Sequence, residues 1–181
     1  MEIKRLINKC LGNDQRAFSK LYKNYSPTFA GICRRYASSE DEANDILQEA
    51  FIKIFQNLDK LKDQSLFEAW GKRIVINTAL NTIKKRQLNI SIDEKEIDIS
   101  IEEEAESNHI LEHLDISDII SLMNELPEGY KTIINLYAME SYSHKEIGEM
   151  LDIKEATSRS QYHKAKKAFQ KIIIQNVTEN K

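Results

Sequence analysis

Residues 143–169, SHKEIGEMLDIKEATSRSQYHKAKKAF, decide the fold of the C-terminal part of this chain. Ser143 and Glu146 have the spacing of a reciprocal capping box, which predicts that a helix begins at this point. Residues 152–154 have the length of the corner in a helix-turn-helix, and a second helix is predicted from Glu155. The stretch therefore predicts two helices joined by a short corner.

The second of these helices has a narrow apolar seam and a basic face. Along the seam, at helical spacing, lie Ser158, Tyr162, Ala165 and Phe169. The basic face carries the side chains predicted to contact DNA: Arg159, Ser160, His163, Lys164 and Lys167. Short polar groups suit base edges and long cations suit phosphates, as in a helix that lies in the major groove. A solvated basic helix is the alternative on charge alone, but the capped first helix and the short corner favour DNA binding.

Few residues in the chain interrupt helices. Its 181 residues include five glycines and two prolines, Pro27 and Pro127. This composition favours helices with short connections, and we expect an all-α fold. Pro27 follows Ser26, which can cap a helix, so residues 14–36 are predicted to form two packed helices.

Charge, cysteines and hydropathy restrict the class of protein. The net charge of -3 argues against a uniformly basic nucleic-acid binder, although a total does not show where the charges lie. Cys10 and Cys33 lack the spacing of a metal site, and we expect buried, reduced thiols. The stretch MEIKRLINKCLGNDQ, residues 1–15, lacks the long apolar core of a signal peptide, and no uninterrupted apolar run approaches the length needed to span a bilayer. The sequence predicts a cytoplasmic protein without direct membrane insertion.

An acidic face is predicted on the helix within SSEDEANDILQEAFIKIFQNL, residues 38–58. Ser38 or Ser39 can cap its start. The face contains Asp45, Gln48, Glu49 and Ile52. It is either a solvated surface or a docking surface for a basic partner, and the residues alone leave both interpretations open.

The next helix, residues 66–87, carries cations and two amides. Its cations are Lys72, Arg73, Lys84, Lys85 and Arg86. Asn77 and Asn81 are poor helix formers that lie four residues apart on one face. They can hydrogen-bond either bases or a neighbouring helix. In the core, this helix is predicted to pack Leu66, Phe67, Trp70, Ile74, Leu80 and Ile83.

Acidic residues dominate residues 88–112, where Lys95 is the only lysine or arginine. Repulsion between like charges opposes packing, so these residues are predicted to form a flexible linker between two helical domains, 1–87 and 113–181. His109 and His113 have the i, i+4 spacing of metal ligands, but no matching acid or cysteine accompanies them. We expect a surface pair, with no metal site and no cofactor.

Three segments together resemble the bacterial sigma factors of extracytoplasmic function (ECF), which retain only conserved regions 2 and 4. The segments are DEANDILQEAFIKIF, residues 41–55; FEAWGKRIVINTALNTIKKR, residues 67–86; and LPEGYKTIINLYAMESYSHKEIGEMLDIKEATSRSQYHKAKK, residues 126–167. Asp152 is a departure, because the family usually has glycine at this corner. Asp tolerates a left-handed conformation better than most residues.

The resemblance implies a non-catalytic subunit of RNA polymerase that confers promoter recognition. It implies that Asp45, Gln48 and Glu49 contact the clamp helices of the largest core subunit, and that the C-terminal domain meets the flap. The helix with Asn77 and Asn81, the loop 59–65 and the neighbouring cations would open the -10 element. The helix-turn-helix would read the -35 element, and an anti-sigma factor is an expected partner.

Two other functions remain as alternatives from the residues alone. A stand-alone helix-turn-helix regulator would bind a palindromic duplex without polymerase. An enzyme acting on nucleic acid has the least support, because the sequence contains no glycine-rich phosphate loop and no nucleophile elbow.

Overall fold

The computed structural model describes residues 2–89 and 116–179, which are helical apart from turns and short connections, without a β-strand. The chain divides into two compact units, one within residues 1–92 and the other within residues 93–181. The all-α prediction is confirmed. Most of the predicted linker, and the pair His109 and His113, lie outside the described residues.

Within residues 2–89, the N-terminal unit contains four helices and two 3-10 turns. In chain order these are α1 (Glu2–Leu11), α2 (Gln15–Tyr36), α3 (Glu40–Gln56), the turns Leu58–Lys60 and Gln64–Leu66, and α4 (Phe67–Asn89). Helices α2, α3 and α4 pack on one another around a core that includes Leu21, Phe29, Ile46, Ile54, Phe67 and Ile76.

Side-chain caps set two of the helix starts. Asp14 accepts hydrogen bonds from the backbone N–H groups of Arg16 and Ala17 at 2.9 and 3.3 Å and begins α2. Ser39 accepts from the N–H of Glu42 at 3.1 Å and begins α3. Each cap satisfies donors that have no partner inside the helix. Of the two serines that the sequence suggests as caps, Ser38 and Ser39, it is Ser39 that caps α3.

The prediction of two helices in residues 14–36 is wrong, because α2 continues through Pro27. Proline in a helix interior removes one backbone hydrogen bond. The helix persists because its apolar face is buried on both sides of the proline, with Leu21 before it and Phe29 and Ile32 after it. Tertiary packing therefore outweighs the local signal.

α4 lies close against α2 at Gly71. A Cβ at this position would be 2.7 Å from Cζ of the buried Phe29 ring, closer than van der Waals contact allows. This approach fixes the position of α4, which carries the predicted DNA-contacting amides. The helix begins at Phe67, and Leu66, for which the sequence predicts packing in the core, is 58% exposed.

Cys10 and Cys33 are free thiols and both are buried, as predicted. Burial raises the pKa of Cys33 to about 12, because the thiolate is poorly solvated there. These cysteines act as small apolar residues of the N-terminal core.

The C-terminal unit is a small helical bundle. Its elements are α5 (Ile116–Met123), α6 (Glu128–Ile134) with a π-helical turn (Asn135–Met139), α7 (His144–Leu151) and α8 (Glu155–Glu179). The core combines Met123, Leu126, Ile134, Ala165 and Ala168. α8 extends to Glu179. Within the described residues, no helix has the length and apolarity needed to cross a membrane.

Candidate nucleic-acid interface

A cleft opens beside α4 in the N-terminal unit, with a volume of about 420 Å³. The end of α3, the first 3-10 turn and one face of α4 form its walls. Its lining residues are Lys53, Asn57, Lys60, Trp70, Ile74, Asn77, Thr78 and Asn81. The residues from α4 recur at intervals of three and four, so they share one side of the helix.

The α4 side of the cleft combines an apolar wall with amides. Trp70 and Ile74 are half-buried, whereas Asn77 and Asn81, one and two turns after Ile74, are exposed. An aromatic ring offers a stacking surface, and a side-chain amide can both donate and accept hydrogen bonds. This combination suits a planar ligand with polar edges.

The α3 side of the cleft is polar, and its groups are held by hydrogen bonds. The Asn57 amide donates to the backbone carbonyl of Lys53 at 2.7 Å and accepts from Lys60 Nζ at 2.6 Å. Lys53 Nζ donates to Thr78 Oγ1 at 3.2 Å and pairs with Glu49 Oε1 at 2.7 Å. Two cations are thereby positioned at the cleft.

The helix-turn-helix of the C-terminal unit has the predicted capping box. The N–H of Glu146 donates to Ser143 Oγ at 3.3 Å, and the N–H of Ser143 donates to Glu146 Oε2 at 2.9 Å. Asp152 ends α7 with φ 58° and ψ 46°, the left-handed conformation expected at the corner. The local sequence signals for this motif are confirmed.

Gly148 allows the corner to close. A Cβ on Gly148 would lie 2.7 Å from the carbonyl oxygen of Ile153. The N–H of Ile153 donates to the Gly148 carbonyl at 2.9 Å, so the corner backbone is held against α7 at this residue. Gly148 thus lies directly against the backbone of the corner, and this contact fixes where α8 begins.

A buried hydrogen bond joins the two helices of the motif. His144 Nδ1 lies 3.0 Å from Oγ of Ser158, which is fully buried. The His144 ring stacks on Tyr137 with centroids 4.4 Å apart, and Tyr162 packs beside both. Burial lowers the pKa of His144 and the charge of Arg159 lowers it further, whereas Glu155 opposes the change. The neutral ring is therefore favoured.

The predicted recognition face of α8 points to solvent. Arg159, Ser160, His163 and Lys164 are exposed and Lys167 is half-buried. Arg159 Nη2 pairs with Glu155 Oε1 at 2.6 Å, which holds the guanidinium along the start of the helix. Ser158 belongs to the opposite, buried seam, as predicted.

Comparison with known proteins assigns both units. The family Sigma-70 region 2 matches residues 21–88, and the family Sigma-70, region 4 matches residues 116–169. The chain is 30% identical over 178 residues to the ECF RNA polymerase sigma-E factor of Escherichia coli K12, covering 91% of this chain and 90% of that protein. This chain belongs to the ECF sigma factor family.

Other relatives and solved structures agree with this assignment. The sigma factor is 28% identical over 180 residues to the ECF RNA polymerase sigma factor SigW of Bacillus subtilis, covering 94% of this chain and 96% of that protein. Its fold resembles that of RpoE, solved with the anti-sigma factor NepR from Bartonella quintana (TM-score 0.57, 18% identity, 86% and 96% covered). It also resembles CnrH, solved with the cytosolic domain of CnrY (TM-score 0.53, 18% identity, 96% and 97% covered).

The acidic face of α3 is present in the sigma factor. Asp45, Gln48 and Glu49 are exposed, and Ile52, one turn further, is 55% exposed. Glu49 also pairs with Lys53, so one end of this face reaches the cleft. The face therefore combines acidic and amide groups with one exposed apolar side chain.

The cations predicted for the -10 element have different surroundings. Arg73, Lys84 and Lys85 are exposed, and Lys72 pairs with Glu68 on the same helix at 3.1 Å. Arg86 is only about one-fifth exposed, and its Nη1 lies 2.6 Å from Glu42 Oε2. Arg86 thus ties the end of α4 to the start of α3, and its DNA contact stays a prediction.

Glu42 is the shared acceptor in the contact between the end of α4 and the start of α3. It accepts hydrogen bonds from Ser38 N and Ser38 Oγ at 2.6 and 2.7 Å, in addition to the contact with Arg86. Burial raises the pKa of Glu42, but the hydrogen bonds from Ser38 and the charge of Arg86 outweigh it, so the pKa is lowered. Glu42 is an ionised, partly buried structural carboxylate.

Sequence reasoning missed Lys53 and Asn57 on the α3 side of the cleft, whereas Lys60 lies in the loop 59–65 that the resemblance assigns to the -10 element. Lys53 lies one turn after Glu49, and this spacing is the only signal for it in the sequence. The cleft itself depends on how α3 and α4 pack. Within residues 2–89 and 116–179, no three His, Cys, Asp or Glu side chains are grouped as metal ligands.

Proposed function

We propose that this ECF sigma factor docks on core RNA polymerase through the acidic face of α3, holds an unpaired -10 base in the α4 cleft, and reads the -35 duplex with α8. The cleft is the observation that carries the proposal. It brings the amides of Asn77 and Asn81 together with a stacking ring and two cations. The protein acts in the cytoplasm and has no catalytic role of its own.

The chemistry of the cleft fits a flipped nucleobase. Such a base needs an apolar surface, supplied by Trp70 and Ile74, and hydrogen-bonding groups at its edge, supplied by Asn77 and Asn81. The connected phosphates need cations along the strand. Lys53 and Lys60 lie at the cleft itself, and the exposed Lys84 and Lys85 extend the positive charge along α4.

The recognition helix fits the major groove. Arg159 can reach guanine O6 and N7, Ser160 can reach several base edges, and Lys164 can pair with a phosphate. The capped, closed corner sets the start of α8, which is the end that enters the groove in helix-turn-helix proteins.

Docking on polymerase explains why two modest DNA contacts suffice. When a large complex presents both units to one promoter, the second contact forms at high effective concentration. The acidic face of α3 is complementary to a basic partner, with Ile52 adding apolar contact. The C-terminal unit is proposed to meet the polymerase flap, and an anti-sigma factor is proposed to compete for these surfaces.

The proposal can be tested with the full chain and a bacterial core polymerase. Transcription of host genomic DNA by the reconstituted holoenzyme, followed by sequencing of RNA 5′ ends, should yield start sites that share upstream elements. Absence of core binding and of initiation would reject the proposal.

Variants then separate the two DNA contacts at a promoter obtained in this way. Asn77→Ala should reduce permanganate reactivity of the melted strand about tenfold while closed complexes persist, because it removes hydrogen bonds to the flipped base. Asn24→Ala, at an exposed position of α2 outside the cleft, is the control. Normal melting by Asn77→Ala would remove Asn77 from the site.

Arg159→Ala should weaken binding of the holoenzyme to promoters with a -35 element by about 1–3 kcal/mol, the usual contribution of such a base contact, and initiation there should fall accordingly. Arg5→Ala, at an exposed position of α1, is the matched control. Equal effects of the two substitutions would assign the loss to net charge and not to base recognition.

A further inference from the structure

Lys53 belongs to two surfaces at once. It lines the cleft proposed for DNA, and its Nζ lies 2.7 Å from Oε1 of Glu49, on the face proposed for polymerase. The two residues are one turn apart on α3, and Lys53 Nζ also donates to Thr78 Oγ1 at 3.2 Å. A single amine therefore connects the proposed protein-binding surface with the proposed DNA-binding surface.

The Glu49–Lys53 pair is open to exchange of partners. The Glu49 side chain is 47% exposed and that of Lys53 is 36% exposed, so water and other molecules reach both. The hydrogen bond from Lys53 lowers the pKa of Glu49, with further contributions from the charges of Lys53 and Lys85 that outweigh burial. Glu49 is thus ionised at neutral pH, and exposed pairs of this kind are weak enough for a competing cation to replace one partner.

We propose that Glu49 and Lys53 form an exchange pair that couples polymerase docking to the cleft. In the free sigma factor, Glu49 holds the Lys53 amine. When a cation of core polymerase pairs with Glu49, Lys53 is released to bind a phosphate or base acceptor of the unpaired strand. This inference rests on the proposed docking face and cleft, and it adds their mutual regulation.

The exchange must act in both directions, because coupling between two sites is reciprocal. Loss of the Glu49 carboxylate should strengthen DNA binding by the free protein, since Lys53 is no longer occupied. Loss of the Lys53 amine should strengthen core binding, since Glu49 is no longer occupied. Removal of a charge alone also changes each affinity, so each variant is compared with a charge-matched control and the double variant tests whether the gain passes through Lys53.

The first test measures DNA binding by the free full-length protein. The assay is fluorescence anisotropy with a labelled, randomised single strand of about 12 nucleotides. This length falls within the range that a single-strand-binding domain occupies. Glu49→Gln should bind about twofold to fivefold more tightly than Asp45→Asn, the size expected from releasing a surface pair. Asp45 lies on the same face two turns from Lys53, so Asp45→Asn removes the same charge without touching the pair.

The double variant shows whether the gain passes through Lys53. Lys53→Gln should bind the strand more weakly than the natural protein, and Glu49→Gln combined with Lys53→Gln should bind as Lys53→Gln does. If Glu49→Gln equals Asp45→Asn while Lys53→Gln still weakens binding, the exchange is refuted and the cleft role remains. If Lys53→Gln changes nothing, the inference and the proposed role of Lys53 in the cleft both fail.

The second test measures affinity for core polymerase. Lys53→Gln should bind core about twofold to fivefold more tightly than Lys60→Gln, which removes a cleft cation that pairs with Asn57 and not with Glu49. Glu49→Gln should bind core more weakly. Equal core affinity of the two lysine variants would overturn the exchange. No loss in Glu49→Gln would instead overturn the proposed docking role of Glu49 and, with it, the inference.

Discussion

Replacing Gly148 with alanine should destabilise the C-terminal unit, because the added methyl group meets the corner backbone. The ideal Cβ lies 2.7 Å from the Ile153 carbonyl oxygen, and ordinary contact begins at 3.4 Å, so the two atoms must separate by about 0.7 Å. The backbone N of Glu155 at 3.4 Å limits movement on the other side. The corner and the start of α8 must shift together.

Two opposing effects determine the size of the change in Gly148→Ala. Overpacking against a fixed neighbour costs about 1–3 kcal/mol. Alanine in a helix is favoured over glycine by about 0.5–1 kcal/mol. With the middle of each range, the net loss should be about 1 kcal/mol, which for a unit of this size lowers the midpoint of unfolding by about 4–8 °C.

Differential scanning calorimetry of the full chain is the suitable assay for Gly148→Ala, since the transition of the N-terminal unit serves as an internal reference. Gly129→Ala is the control in the same unit, because a Cβ there meets nothing within 4 Å. A Gly148→Ala protein as stable as the natural one would refute the close contact at the corner.

Three further outcomes follow from the structure. Asp152→Gly should raise the unfolding free energy of the C-terminal unit by about 0.5–1 kcal/mol in urea, because glycine adopts φ 58° without the penalty of a Cβ. The depressed pKa of His144 means that the unfolded state binds more protons below pH 6.5, so stability should fall as pH drops through that value. His144→Gln should flatten this dependence between about pH 7.5 and pH 5, and an unchanged slope would exclude His144 as its source. Arg86→Ala should cost the N-terminal unit about 1 kcal/mol in urea, since Glu42 loses a partly buried partner. Arg34→Ala, which breaks an exposed pair with Glu40, should change stability much less, and an equal effect would contradict a structural role for Arg86.

Signals confined to a few neighbouring residues were predictable from the sequence. The Ser143–Glu146 capping box and the Ser39 cap are local, and the structure has both. Asp152 was also predictable, because its left-handed conformation depends on its own backbone and side chain. The helix-turn-helix is built from such local signals, which is why its boundaries were predicted well.

Features that depend on packing between distant residues were not predictable in the same way. Pro27 is compatible with both a helix start and a helix interior, and only the burial of Phe29 and Ile32 decides between them. Leu66 is apolar at a helical position but faces solvent, because α4 begins one residue later.

In the candidate site too, local features were predictable from the sequence, whereas those that depend on packing were not. Asn77 and Asn81 share a helix face, and the helical periodicity of the sequence is enough to place them together. Lys53 joins them only because α3 packs beside α4. Arg86 depends on packing in the same way, since a count of cations does not reveal that Glu42 engages its side chain, and its DNA contact stays a prediction.

The hydrogen bond between His144 and Ser158 limits how these two positions can vary during evolution. Replacing either residue alone by an apolar one strands a polar atom in a buried site, which is more costly than losing the bond itself. Replacing both at once by a matched apolar pair avoids that cost. Descendants of this protein should therefore either keep the pair intact or exchange both members, and single changes at this point should be rare.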